Sequence, residues 1–232
     1  MFQERKLIIF GIGEFAEVVE YYFRSDSDRQ IVGFVVDDNY FREESFCGLP
    51  VSPMTELVVR WPASNHEVFV AIGYSGLNRV RGEKAVQLSS AGYTLPSFVS
   101  SKAVVATNVK IGGNCFVLEH NTIQPFVAIG NNVVLWSGNH VGHHTTIENS
   151  CFVTSHVVIA GGVRIGEETF VGINAAIRDH VSVGRRNIIG AGALILQDTP
   201  DDAVFAAEAT PVSKISSQRM LRFLATPRAT KK

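Results

Sequence analysis

The chain is short of charge. Asp, Glu, Lys and Arg make up 19% of its 232 residues and the net charge is −1. An ordinary soluble domain is ~25% charged. Without a basic excess there is no field to hold nucleic acid or an anionic membrane. No run approaches the ~20 apolar residues of a membrane span. Met1 to Gly13 carries Glu4 and a glycine-rich break where a signal peptide needs its apolar core and cleavage site. Cysteine is scarce as well: the three are an odd number without a C-x-x-C, which argues against a disulfide frame or a zinc ribbon. These absences predict a soluble, reduced, cytoplasmic protein that engages neither nucleic acid nor membrane.

Hydrophobic residues are abundant, at 46%, which excludes a disordered chain. At about 150 residues per domain the length predicts one and a half domains. The first third alternates strand and helix. Apolar runs at Lys6–Phe10, Ile31–Val36 and Val68–Ile72 each end at a glycine or an acidic turn. Helical spacing occupies Glu14–Arg24, and Leu77–Ser89 is a second helix candidate. That order predicts a small α/β unit of Rossmann-like βαβ type over residues 1–95.

A different period begins after Pro96. Stepping by six from Val99 through Ile111, Ile123, Leu135, Ile147, Ile159, Val171 and Val183 to Ile195 meets only Val, Ile or Leu, seventeen times without a gap. Neither the helix period of 3.6 nor the strand period of 2 produces this. A solenoid does, with one short strand and one corner per hexad and three hexads per 18-residue coil. The aliphatic residue points inward. Glycine follows it at 112, 130, 142, 166, 172, 184 and 190, and glycine and small polar residues are expected at the corners, where φ turns positive. The prism covers residues 96–215, and 216–232 reads as a helix stub and tail.

This pattern resembles the bacterial hexapeptide-repeat sugar acyltransferases, of the sialic acid O-acetyltransferase and nucleotide-linked amino-sugar N-acetyltransferase type. The motifs that carry it are the hexads, Gly142-His143-His144, Phe170-Val-Gly-Ile-Asn-Ala and Ile189-Gly-Ala-Gly-Ala. The resemblance implies an all-β left-handed parallel β-helix, although parallel crossovers are ordinarily right-handed. It further implies a homotrimer, acetyl-CoA in the groove between neighbouring prisms, and a nucleotide-sugar on the N-terminal unit.

His143 matches the family's catalytic histidine. It follows inward Val141 by two, which puts it near a corner, and one coil further on stand Gly161 and Gly162. An imidazole beneath a bare backbone N–H suits acyl transfer: the ring takes a proton and the N–H receives an oxyanion. In amino-sugar members a glutamate commonly follows the base; here it is His144. A zinc reading would draw on His140, His143, His144, His156 and His180. Adjacent strand residues point to opposite sides, so convergence is poor and no metal is expected.

By the same resemblance Gly11, Gly13, Asp37, Asp38 and Gly73 are candidates for the sugar-nucleotide, with His144 beside them. Gly11-Ile-Gly13 after a strand and before a helix fits a phosphate. The ~95 residues before the coils are too few for a full dinucleotide fold. Glu14-Phe15 stands where many members have Gly-His, and an acid there repels a diphosphate. Trp136 is a candidate sugar platform or subunit-interface anchor. Gly161, Ile173 and Ala191 are the carried-over coenzyme contacts, with Lys214, Arg219, Arg185 and Arg186 as phosphate donors.

The expectation is an acetyl-CoA-dependent N-acetyltransferase of a nucleotide-linked amino sugar in surface-glycan synthesis, with direct attack assisted by His143. O-acetylation of a sialic-acid-like sugar and a non-catalytic nucleotide-sugar scaffold are the rivals.

Overall fold

The computed structural model describes residues 6–224. Strands β1 (Lys6–Phe10), β2 (Ile31–Val36), β3 (Ser45–Phe46), β4 (Leu49–Pro53) and β5 (His66–Val70) form one sheet in the order β3-β4-β2-β1-β5. All pairs are parallel except β3 with β4. Helices α1 (Glu14–Ser25), a short α2 (Leu57–Arg60) and α3 (Arg79–Ser90) complete the unit. The strand expected at 68–72 begins two residues earlier, because His66 and Glu67 already pair with β1. Strands β3 and β4 were not expected: Pro50 and Pro53 lie within β4 and disguise it as a loop.

From Phe98 the chain winds as a three-sided prism of two-residue strands. Its faces carry seven, six and five strands. Partners are one coil apart, as in Phe116 with Val134 and Thr122 with His140. The interior is a single column of aliphatic residues, among them Val117, Leu135, Val153, Ile147, Ile159 and Val183. The hexad ends near Pro200. The last coil is shorter, with Val204 pairing Ile188 sixteen residues behind it.

The corners sharpen the expectation of glycine and small polar residues. Positive φ recurs every sixth residue, from Asn114 through His120, Phe126, Asn132, Gly138 and His144 to Gly192. Asn and His fill many of these positions, since their short polar side chains tolerate the left-handed region. The glycines directly after the inward residue have another cause. A Cβ on Gly142 would stand 2.5 Å from the carbonyl carbon of Ala160, so close approach of the next coil demands glycine there.

The α/β unit packs on the seven-stranded face. Each residue before an inward aliphatic on that face points outward, and Phe98, Phe116, Val134, Phe152 and Phe170 form a stripe with one residue per coil. Phe15 meets Phe116 edge-on at 5.6 Å, Phe23 meets Phe98 at 5.2 Å, and Tyr74 meets Phe170 at 5.2 Å. Such pairs add ~0.5–1.5 kcal/mol each beyond their burial.

One edge of the prism is locked by Arg81, which has 0% exposure. Its guanidinium donates to the carbonyls of Val70 (3.1 Å), Asn132 (2.6 Å) and Asn114 (2.7 Å). Asn78 donates to the carbonyl of Ser150 at 2.8 Å. Burial pulls the Arg81 pKa down to about 10, so the group is still charged at neutral pH.

Candidate active site

His143 follows the strand His140–Val141 and leaves the prism at the corner beyond it. The coil beneath fixes its backbone: the His143 N–H donates to Oε1 of Gln124 at 2.9 Å, and the His144 N–H donates to the carbonyl of Pro125 at 3.2 Å. The coil above closes on it through the Gly162 N–H, which donates to the His143 carbonyl at 2.8 Å. Gly161 presents bare backbone to the ring. A Cβ there would lie 2.6 Å from Cε1 and 2.8 Å from Nε2 of His143. The Gly161 N–H has no acceptor among the described residues, and Nε2 of His143 has no partner among them either. The side chain is exposed. A base with a free nitrogen thus stands beside a free backbone donor, which is the pair that acyl transfer uses.

His144 turns toward its neighbour. Its Nδ1 lies 3.1 Å from Nδ1 of His143, and its ring stacks on Phe126 at 4.7 Å. Sequence reading did not single out Phe126 or Gln124. Both lie one coil before the histidines, and the 18-residue repeat was the signal available for finding them.

Gly11, Gly13, Asp37, Asp38 and Gly73 gather at the carboxyl ends of β1, β2 and β5. Gly11 has φ 122°, and a Cβ would stand 2.8 Å from the Ala71 carbonyl oxygen, so only glycine fits. Gly13 precedes α1 and its carbonyl accepts from the N–H of Ala16 and Glu17. Glu14 is exposed, whereas Phe15 is spent on the contact with the prism. A hollow of about 610 Å³ opens beside Asp37 and Asp38, bounded by Tyr40, Met54, Thr55 and Gln87. Lys84 of α3 reaches Asp37 at 2.6 Å, and Asp38 accepts the Thr55 N–H at 3.1 Å. Nothing in the sequence marked Lys84, a lone lysine on a helix. A larger hollow of about 860 Å³ lies between α3 and the edge carrying Asn114, Asn132 and Ser150, a different corner from His143.

Trp136 is half-buried with its ring 6.1 Å from Phe15, so it packs between the two units. Gly161 follows a strand of the six-stranded face, whereas Ile173 and Ala191 follow strands of the seven-stranded face. One chain therefore presents these coenzyme candidates on two different corners. Ile173, Ala191 and Lys214 are exposed. Arg185 and Arg186 pair with Asp201 (3.0 Å) and Asp202 (2.5 Å), and Lys214 and Arg219 have no ion pair among the described residues. The tail candidate 216–232 lies partly outside the described residues, beyond the helix Ser217–Leu224. Among the described residues no group of three His, Cys, Asp or Glu side chains is arranged to hold a metal ion.

Two family models match the chain. Residues 6–88 match the PglD N-terminal domain and residues 162–197 the bacterial transferase hexapeptide (six repeats). The chain is an acyltransferase with a left-handed parallel β-helix behind a small α/β unit, as the resemblance implied. Among solved structures, this transferase is similar to PerB from Caulobacter crescentus in complex with CoA and GDP-perosamine. Identity is 27% and the TM-score 0.77, over 86% of this chain and 92% of that one. The acetyltransferase domain of PglB from Neisseria gonorrhoeae FA1090 is 25% identical with a TM-score of 0.74, over 86% of this chain and 95% of that one. WeeI from Acinetobacter baumannii AYE shares the fold at 21% identity, with a TM-score of 0.65 over 86% of this chain and 95% of that one. No curated protein matches the chain in sequence.

Proposed function

We propose that this transferase moves an acetyl group from acetyl-CoA to the amino group of a nucleotide-linked amino sugar, in the synthesis of a bacterial surface polysaccharide or glycan. The observation that carries the reading is the placement of His143, with its free Nε2, against Gly161, with its free N–H. Similar structures support the substrates: PerB is described with CoA and GDP-perosamine, and the PglB domain with acetyl coenzyme A.

Acetyl-CoA supplies the acyl group as a thioester. Nε2 of His143 takes the proton from the attacking amine, and the Gly161 N–H receives the negative charge that develops on the carbonyl oxygen; as the intermediate collapses the C–S bond breaks and the proton passes from His143 to the departing CoA sulfur. The nucleotide rests at the carboxyl ends of β1, β2 and β5, near Gly11, Gly13, Asp37, Asp38 and Gly73. Lys84 already offsets the charge of Asp37 there.

The working unit in this reading is a cytoplasmic homotrimer. The outward residues of the six-stranded face support it, because Val104, Val158 and Leu194 are 67%, 50% and 64% exposed. So do the coenzyme candidates on two corners, since a groove between neighbouring copies unites Gly161 of one with Ile173 and Ala191 of the other.

Incubating the purified protein with acetyl-CoA and a panel of nucleotide-linked amino sugars, with thiol release as the readout, tests the proposal. Release with one of them is expected. Coenzyme binding without release for any acceptor would favour a scaffold.

A further inference from the structure

The two corner histidines meet through like atoms. Nδ1 of His143 and Nδ1 of His144 are 3.1 Å apart, with the rings at 84° to each other. Two imidazole nitrogens at that distance share a single hydrogen, so one must donate and the other accept. The contact therefore couples the two tautomers. When His143 donates, its lone pair stands at Nε2, beside Gly161. When His144 donates, Nε2 of His143 carries the hydrogen and cannot act as a base.

His144 is not free to turn away. It occupies a left-handed corner at φ 59° and stacks on Phe126, with planes 27° apart. Phe126 is itself held at φ 67°, a conformation that costs a bulky side chain energy. Its N–H is tied to Oδ1 of Asn108 at 3.2 Å. No carboxylate, lysine or arginine among the described residues is bonded to either ring. Along the same corner column His180 lies against Gly162. On the next face Glu148 and Arg164 are paired with each other.

We propose that His144 is the positioning residue for His143, a role that rests on His143 being the base. His144 accepts the Nδ1–H of His143 at its own Nδ1 and so fixes the base's lone pair at Nε2. It does with a neutral ring what a carboxylate would do with a charge. Three substitutions test this role. In Asn and Asp the side-chain oxygen is bonded to Cγ, as Nδ1 is in histidine, and both residues tolerate positive φ. His144→Ala should lower kcat about 10- to 100-fold with the KM for acetyl-CoA little changed. His144→Asn should restore most of the loss. His144→Asp should restore it and move the acidic limb of kcat/KM to higher pH than in the Asn variant. Nitrogen NMR of the imidazoles reads the pairing without turnover. The wild type should show His143 protonated at Nδ1 and bare at Nε2, and His144→Ala a mixture of tautomers. A wild-type His143 protonated at Nε2, or equal kcat and equal pH limbs in all three variants, would overturn the assignment. A wild type inert toward every acceptor would count against the acetyltransferase reading alone, because the nitrogen shifts still decide the pairing.

Discussion

The imidazole of His143 lies against the backbone of Gly161, with 2.6 Å between Cε1 and the point where a Cβ would stand. The glycine is therefore required by the ring, and its φ is one that alanine can adopt. Gly161→Ala should push the imidazole aside, because a side chain yields more readily than a coil. The expected result is a fall in kcat of about 100-fold with almost no change in Tm. Gly142→Ala should behave oppositely. There the Cβ meets the backbone of Ala160 and Gly161, both at 2.5 Å, and the coil itself must shift. A loss of several degrees in Tm is expected, read by thermal denaturation.

Arg81 holds the α/β unit to the prism through the carbonyls of Asn132 and Asn114, and ties itself within its own unit to that of Val70. Arg81→Met keeps much of the volume and removes every donor. Each carbonyl left buried without a partner costs ~1–3 kcal/mol, so a destabilisation of about 3 kcal/mol or more is expected in denaturant unfolding. Arg81→Lys should rescue little, since one ammonium cannot span the guanidinium's fork.

Phe126 carries backbone strain on an exposed corner, with 61% of its surface in water. Phe126→Asn suits the left-handed conformation and should stabilise the fold by about 1 kcal/mol, a rise of a few degrees in Tm. The same change removes the ring under His144 and should lower kcat several-fold. Paired calorimetry and kinetics would reveal that exchange of stability for activity.

Tyr22 of α1 donates to Oε2 of Glu119 at 2.8 Å. Burial, then the Glu119 carboxylate, pushes the Tyr22 pKa from 10.0 up to about 12. A raised folded-state value means the contact stabilises fully below pH 10 and is lost as pH climbs through 12. Burial raises the Glu119 carboxyl, but hydrogen bonds from Ser137 and Tyr22 outweigh it and hold it below its ordinary range. Its share is present above the usual carboxylate pKa and disappears as pH falls through the folded value. Near-ultraviolet circular dichroism should show the wild type losing packed signal between pH 10 and 12, a step absent from Tyr22→Phe.

The prism was legible because each inward residue must be aliphatic on every face, and a rule repeated seventeen times is visible in one sequence. His143 and Gly161 could be paired across 18 residues for the same reason. The corner conformation was legible in part. Small polar residues such as Asn114 and Asn132 carry positive φ together with Gly138, Gly162 and Gly192, as expected, whereas the glycines directly after inward residues answer to inter-coil distance. The aromatic stripe at Phe98, Phe116, Phe152 and Phe170 was also present in the sequence at the coil period, hidden because it faces outward. Trp136 could not be assigned without knowing that Phe15 would reach it. Lys84 beside Asp37 and Arg81 beside Asn132 depend on how α3 lies across the prism, which no local pattern encodes.

The central claim is that His143 is the base. The most direct test is thiol release from acetyl-CoA, in the presence of the accepted amino sugar, by His143→Ala. The account predicts a loss of about 100- to 10,000-fold, with coenzyme binding and assembly unchanged. Turnover near the wild-type rate would contradict it.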